Sequence, residues 1–209
     1  APAIKAALGG RVAIGSGIRR VQETFSGLLN LKDFNANGVQ FDHLFADADE
    51  FSIGGLKGRV IATPGHTSDS VSYLIDDAVF VGDTLFAPDK GTARADFPGG
   101  SAADLYRSTR RLLALDGETR VFLCHDYPGD DRAAEHVHTV TEHRANNAHV
   151  RDGVDETEYV DLRTRRDATL GMPALIIPAV QVNIRAGLMP APESNGVSYL
   201  KVPVNLLGR

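Results

Sequence analysis

The 209-residue sequence contains no tryptophan and only one cysteine, Cys124. A single cysteine cannot form a disulfide within the chain, so we expect a reducing compartment. No stretch reaches the roughly 18 consecutive apolar residues that a membrane-spanning helix needs. The first residues also lack the charged, apolar and small-residue sections of a signal peptide. The sequence therefore predicts a cytoplasmic protein without a membrane partner.

Long runs of one charge are absent as well. Lysine and arginine number 22 against 27 aspartate and glutamate residues, which gives a formal net charge of −5. No basic cluster is suited to follow a phosphate backbone, so we predict no nucleic-acid partner. The 43% hydrophobic content is ordinary for a globular protein, and no shift in composition marks a boundary. We therefore expect a single domain over residues 1–209.

Short apolar runs alternate with amphipathic segments along the chain. The periodicity predicts strands at residues 57–62, 70–75, 78–81 and 120–124, and helices at residues 16–25, 101–115, 131–150 and 156–170. Asp76 and Asp77 separate the second of these strands from the third, which is the pattern of a hairpin. The tail over residues 172–209 is proline-rich, and we predict it to be irregular. Helices layered over sheets are the expected arrangement, so the fold class is α/β or α+β.

Three polar side chains each follow an apolar strand directly. His66 comes after Val-Ile-Ala, Asp83 after Val-Phe-Val and His125 after Val-Phe-Leu. Taken singly, such residues are more typical of a hydrogen-bonded histidine or a turn-forming aspartate. Because strands of a sheet end at a common edge, however, three strand-end groups can converge on one point. Two imidazoles and a carboxylate suit zinc or iron, so the combination predicts a divalent metal site.

The segments around these residues resemble a known family. Residues 63–67 (Thr-Pro-Gly-His-Thr), 82–86 (Gly-Asp-Thr-Leu-Phe) and 124–127 (Cys-His-Asp-Tyr) resemble the third, fourth and fifth metal motifs of metallo-β-lactamase-fold hydrolases. Their order and spacing are similar to those of the glyoxalase II and persulfide dioxygenase branch. The resemblance implies an αββα metallo-β-lactamase sandwich, with residues 150–209 forming a C-terminal extension that packs on the domain.

The first metal motif of that family, His-x-His-x-Asp-His, does not occur in these 209 residues. In relatives it lies just before a helix like the one that we predict to end at Leu8. The motif would therefore fall upstream of Ala1. The resemblance implies an α/β sandwich that is truncated at its N-terminus.

Two further segments favour the persulfide dioxygenases within this branch. Residues 91–97 resemble the loop beside the glutathione site, and residues 178–187 resemble the C-terminal segment of those enzymes. The resemblance implies that Arg94, Asp96 and Phe97 bind substrate. Arg94 and Arg185 would pair with the glutathione carboxylates. Tyr127 would direct its phenol at the substrate as a catalytic residue.

The implied reaction is the oxidation of a low-molecular-weight persulfide, glutathione persulfide, to sulfite by O₂. Fe(II) would be held by His66, Asp83 and a histidine of the absent motif, while His125 would lie outside this set or bind a water molecule. Two alternatives stay open. A zinc-dependent thioester hydrolase of the glyoxalase II type would use Asp83 as a bridge and His125 at a second metal ion. A metal-free interaction module would follow if the first motif were truly missing. A homodimer is also expected from the resemblance.

Other reactive residue types carry structural predictions. The four histidines that follow Asp131 are expected to lie on a solvated surface: His136, His138, His143 and His149. Cys124 lies in a predicted strand next to a ligand, so we expect it to be buried and unreactive.

Overall fold

The computed structural model describes residues 1–130 and 132–204. Residues 205–209, with which the predicted tail and the predicted domain end, lie outside the described residues. The chain divides into two units. One unit is Ala46–Thr169, and the other joins Ala1–Phe45 to the chain from Leu170 onward. The single-domain organisation stays a prediction.

A six-stranded sheet forms the centre of the larger unit within the described residues. Its strands are β3 (Glu50–Ile53), β4 (Leu56–Ala62), β5 (Val71–Ile75), β6 (Ala78–Phe80), β7 (Arg120–Phe122) and β8 (Val137–Thr139). They lie across the sheet in chain order. Neighbours are antiparallel except β6 and β7, which are parallel. Strands β4, β6 and β7 therefore run in one direction and end at the same edge of the sheet.

The predicted hairpin over residues 70–81 is confirmed. Strands β5 and β6 pair antiparallel, with Ile75 opposite Ala78. Asp76 adopts a left-handed φ of 55° in the connecting turn, a conformation that aspartate tolerates better than most residues. Val79 and Val81 are buried in the core, and the turn at Gly82–Thr84 follows them directly at the edge of the sheet.

Three helices among the described residues of the larger unit share a core with the sheet: α3 (Ala102–Leu112), α4 (Val140–Asn146) and α5 (Glu156–Asp167). Ser101 caps α3 by accepting the backbone N–H of Asp104, as its position before the apolar stripe predicts. The buried core joins one face of each helix to the sheet. It consists of Ile61, Val79, Val81, Leu85, Ala95, Leu105, Leu112, Leu113, Val121, Val140, Val150 and Tyr159.

The smaller unit contains α1 (Pro2–Leu8), β1 (Ala13–Gly15), α2 (Ile18–Leu28), β2 (His43–Phe45) and α6 (Ile176–Asn183). Strands β1 and β2 pair in parallel. The fully buried Gln22 of α2 donates to the backbone carbonyl of Ile184 and accepts from the backbone N–H of Gly38. This one amide therefore ties α2 to the tail segment. No helix among the described residues is long and apolar enough to cross a membrane.

Two secondary-structure predictions were wrong. The helix predicted over residues 131–150 is instead a strand, β8, followed by the short helix α4; residue 131 lies outside the described residues. Strand β8 pairs with the free edge of β7. Thr139 then caps the start of α4: its side chain accepts the backbone N–H of Glu142, and the Glu142 side chain accepts the backbone N–H of Thr139. The tail contains the helix α6, although we predicted it to be irregular. Pro178 lies in the first turn of α6, where proline is tolerated because that N–H needs no partner.

The prediction of four solvated histidines fails for three of them. The side chain of His138 is only 11% exposed, and those of His143 and His149 are buried more deeply. The latter two residues are 0% and 7% exposed, respectively, and burial lowers the pKa of each to about 4. His143 lies one turn after Val140 on the inner face of α4, a face that exists only because β8 interrupts the predicted helix. His149 accepts the backbone N–H of Thr92 through Nδ1 at 3.0 Å.

Candidate metal centre

The three predicted ligands meet at the sheet edge where β4, β6 and β7 end. His66 follows β4, Asp83 lies in a 3-10 turn after β6, and His125 follows β7. The Nε2 atom of His66 is 3.9 Å from Oδ2 of Asp83, and Nε2 of His125 is 2.5 Å from Oδ1. Asp83 therefore turns one carboxylate oxygen toward each imidazole.

The ring of His66 is oriented by the backbone of a neighbouring loop. Its Nδ1 lies 2.8 Å from the carbonyl oxygen of Arg94. Because a carbonyl can only accept, Nδ1 donates its proton to this oxygen, and Nε2 is the ring nitrogen that faces Asp83. Gly65 makes this approach possible: its φ is 145°, and a Cβ there would lie 2.3 Å from the backbone of Leu105.

Cys124 also belongs to this cluster, contrary to the prediction that it is buried. Strand β7 ends at Phe122, two residues earlier than predicted, so Cys124 lies in the loop and is exposed. Its thiol donates to Oδ1 of Asp83 at 3.2 Å. Partial burial of the sulfur, together with the carboxylate of Asp83, raises the pKa of the thiol to about 12.

The predicted substrate loop lies next to His66. Arg94 pairs with Asp96 through two parallel hydrogen bonds of 2.6 and 2.7 Å. Its guanidinium also covers the ring of Phe97, and that ring meets the imidazole of His66 edge-on at 5.3 Å. Arg185, also predicted to bind substrate, belongs to the smaller unit, where it covers the ring of Phe34.

Tyr127, the predicted catalytic residue, forms an aromatic group with two neighbours. The ring of Phe86 is tilted against the imidazole of His125, and the ring of Tyr127 meets it edge-on, each with a centroid distance of 4.9 Å. The side chain of Tyr127 is exposed. Partial loss of solvation around the phenol and the negative charge of Asp83 raise its pKa, so the hydroxyl stays protonated and can donate a hydrogen bond.

Comparison with known proteins identifies the family. The sequence profile described as "Metallo-beta-lactamase superfamily" matches residues 2–125. This chain belongs to the metallo-β-lactamase superfamily. It is 50% identical over 199 residues to "Glyoxylase B2" of Dictyostelium discoideum, covering 94% of this chain and 68% of that protein. A "Hydroxyacylglutathione hydrolase" of Brucella anthropi is 43% identical over 88 residues, which are 41% of this chain and 32% of that protein.

A solved structure agrees with this assignment. The crystal structure of "ETHE1 from Myxococcus xanthus" matches with a TM-score of 0.63 and 38% identity, covering 71% of this chain and 62% of that one. The chain therefore spans only part of each of these three proteins. The predicted α/β class and metallo-β-lactamase fold are confirmed.

Members of the metallo-β-lactamase superfamily bind divalent metal ions, and the donors in this chain fit such an ion. Two ligands at about 2.1 Å from a tetrahedral ion lie about 3.4 Å apart, close to the 3.9 Å between His66 and Asp83. The donor atoms of Asp83, Cys124 and His125 all lie within 4.8 Å of one another. Imidazole and carboxylate donors suit both zinc and iron, so the donor types leave the metal open.

Asp126 shapes the loop that carries His125, a role that the sequence did not suggest. The side chain of Asp126 is 2% exposed and accepts from the backbone N–H groups of Tyr127 and Glu135. Two nitrogens of Arg132 also donate to it, and the guanidinium holds the pKa of Asp126 well below its usual range. The carboxylate therefore closes the loop that carries His125. An acidic residue followed six positions later by arginine was the available signal.

Proposed function

We propose that this chain carries the metal-binding edge and the thiol-substrate loop of a glutathione persulfide dioxygenase. One molecule each of glutathione persulfide, O₂ and water would give glutathione, sulfite and two protons. The unequal environment of Asp83 carries this proposal. Its Oδ1 accepts a direct hydrogen bond from His125 at 2.5 Å, whereas its Oδ2 faces Nε2 of His66 across 3.9 Å without contact.

This asymmetry supports one metal ion rather than two. The space between His66 and Asp83 suits a shared ion, because their donor atoms face each other beyond hydrogen-bonding distance. His125 would then act on Asp83 as a hydrogen-bond donor and orient the carboxylate. Orientation of a metal-binding carboxylate by such a partner is common in metalloproteins.

The ion that fits this role is Fe(II), held by His66, Asp83 and a third ligand. When bound, Fe(II) would supply the redox chemistry and the open positions that a persulfide and O₂ require. The protein residues bind and orient the substrate. Tyr127, whose phenol stays protonated, donates a hydrogen bond to the persulfide sulfur. Arg94 is cationic at any physiological pH, and it would offer this charge to a glutathione carboxylate.

A zinc-dependent thioester hydrolase is the second candidate, and one observation favours it. Asp83 presents one oxygen to each of two histidines, as a carboxylate that bridges two metal ions would. The identity to a protein named Glyoxylase B2 supports the same alternative. In this case His125 would bind the second zinc ion instead of donating to Asp83.

Metal content and two activities test the proposal on protein purified anaerobically from the intact gene. We expect about one iron per chain, O₂ uptake with glutathione persulfide, and one sulfite for each O₂ consumed. Asp83→Ala should lose the metal. His125→Asn should keep the iron with lower activity, whereas a two-zinc hydrolase would lose one metal ion. His136→Asn, at an exposed position, is the matched control.

Three results would contradict the dioxygenase proposal. About two zinc ions with hydrolysis of a glutathione thioester would establish the second candidate. Loss of all iron in His125→Asn would mean that this histidine is a ligand. Absence of any metal from the wild-type protein would leave only an interaction module.

A further inference from the structure

Helix α5 carries an ion pair that is almost completely buried. Arg163 and Asp167 are 2% and 5% exposed, and Nε of Arg163 donates to Oδ1 of Asp167 at 2.8 Å. Burying two charges costs desolvation free energy that their attraction only partly returns, so such a pair is weak evidence for a stabilising role. Its remaining polar atoms indicate what else it does.

Those remaining atoms bind the loop that precedes α3. Oδ2 of Asp167 accepts the backbone N–H of Ala95 at 2.8 Å, and Nη1 of Arg163 donates to the carbonyl of Thr92 at 3.2 Å. The ion pair therefore uses both partners to hold the backbone of residues 92–95. Thr92 is fixed from the other side as well, because its N–H donates to Nδ1 of His149.

The N–H of Ala95 belongs to the same peptide group as the carbonyl of Arg94. That carbonyl accepts the Nδ1–H of His66 at 2.8 Å. Because the peptide group is planar, fixing the direction of its N–H also fixes the direction of its C=O. Hydrogen bonds on the two sides of an amide also polarise each other, so a carboxylate on the N–H makes the carbonyl a stronger acceptor.

We propose that Asp167, held by Arg163, is a positioning residue for His66 and acts through the peptide bond between Arg94 and Ala95. The carboxylate aligns this peptide so that its carbonyl holds the His66 ring with Nε2 toward Asp83. It also increases the basicity of the imidazole as a metal ligand. The inference rests on the metal-binding role of His66 in the proposed function, and it holds for iron or zinc and for either reaction.

The affinity for Zn(II) tests this role without an activity assay. Metal-free protein from the intact gene is titrated in competition with a chelator. Partners that orient a histidine ligand typically contribute about 10- to 100-fold in metal affinity, and we expect about tenfold weaker binding in Asp167→Asn. The double variant Arg163→Met, Asp167→Leu removes both charges and leaves none unpaired, and it should show the same loss.

A second measurement separates positioning from general destabilisation. In the zinc-loaded wild type, the Nδ1 proton of His66 should give a slowly exchanging NMR signal, because it is hydrogen-bonded to Arg94. We expect faster exchange of this proton in Asp167→Asn. Val140→Ala, which removes buried core contacts on α4, is the control that loses stability. It should keep both the zinc affinity and the slow exchange.

The outcomes distinguish this inference from the proposed function. Unchanged zinc affinity and unchanged exchange in Asp167→Asn, with zinc bound by the wild type, would overturn the positioning role alone. An equal loss of affinity in Val140→Ala would also overturn it, since stability would then explain the effect. A wild-type protein that binds no zinc or iron would overturn the metal site and the positioning role together.

Discussion

Replacing His149 by asparagine should make the free energy of unfolding less sensitive to acid. In the folded protein, burial, followed by the positive charges of Arg163 and Arg166, lowers the pKa of His149 to about 4. The ordinary histidine pKa of about 6.5 applies to the unfolded chain. Asparagine can offer its Oδ1 to the Thr92 N–H in place of Nδ1, and it does not titrate.

The sign and size of the effect follow from proton linkage. Between pH 6.5 and 4 the unfolded chain binds a proton that the folded protein does not, so stability is lost as the pH falls. At about 1.4 kcal/mol per pKa unit, the difference between 6.5 and about 4 corresponds to about 3 kcal/mol. The contribution is complete above pH 6.5 and absent below pH 4. His143 contributes equally to both proteins and cancels in the comparison.

Urea denaturation followed by far-ultraviolet circular dichroism at pH 7.5, 6, 5 and 4 measures the difference. The wild type should lose about 3 kcal/mol more than His149→Asn between the highest and lowest pH. Parallel pH profiles for the two proteins would refute the reasoning. An NMR titration of His149 with an ordinary histidine pKa in the folded protein would do the same.

Three further changes have definite expected outcomes. Gly65→Ala should unfold more readily and bind metal poorly, because the added Cβ would collide with the Leu105 backbone; thermal melting and metal content check this. Ser101→Ala should cost about 1 kcal/mol of unfolding free energy, since the N–H of Asp104 loses its cap; urea denaturation measures it. Asp126→Ala should lower activity more than metal content, because the loop after β7 loses its internal acceptor.

The convergence of the candidate ligands could be predicted because it depends on a regular property of sheets. Each ligand follows an apolar strand, and equally directed strands end at one edge. The hairpin signal predicted that β5 and β6 are antiparallel, but no local signal showed that β4 also pairs antiparallel with β5. Together the two reversals give β4 and β6 the same direction. The hairpin signal at Asp76 was sufficient to predict the relevant turn.

Other features depend on pairings that no local pattern reveals. Residues 137–139 form a strand only because the edge of β7 is available to them, and His143 is buried only as a consequence. Arg163 and Asp167, four positions apart on a helix, have the spacing of an ordinary exposed ion pair. Their burial depends on contacts with a loop some 70 positions earlier in the chain.

Arg94 divides two tasks between its backbone and its side chain. The carbonyl that orients His66 is present in every amino acid, so replacing the arginine side chain leaves that acceptor in place. The guanidinium that pairs with Asp96 and covers Phe97 can therefore be exchanged without removing the group that holds the imidazole. A substitution at this position would therefore change the charge of the loop, while the acceptor that orients His66 stays in the main chain.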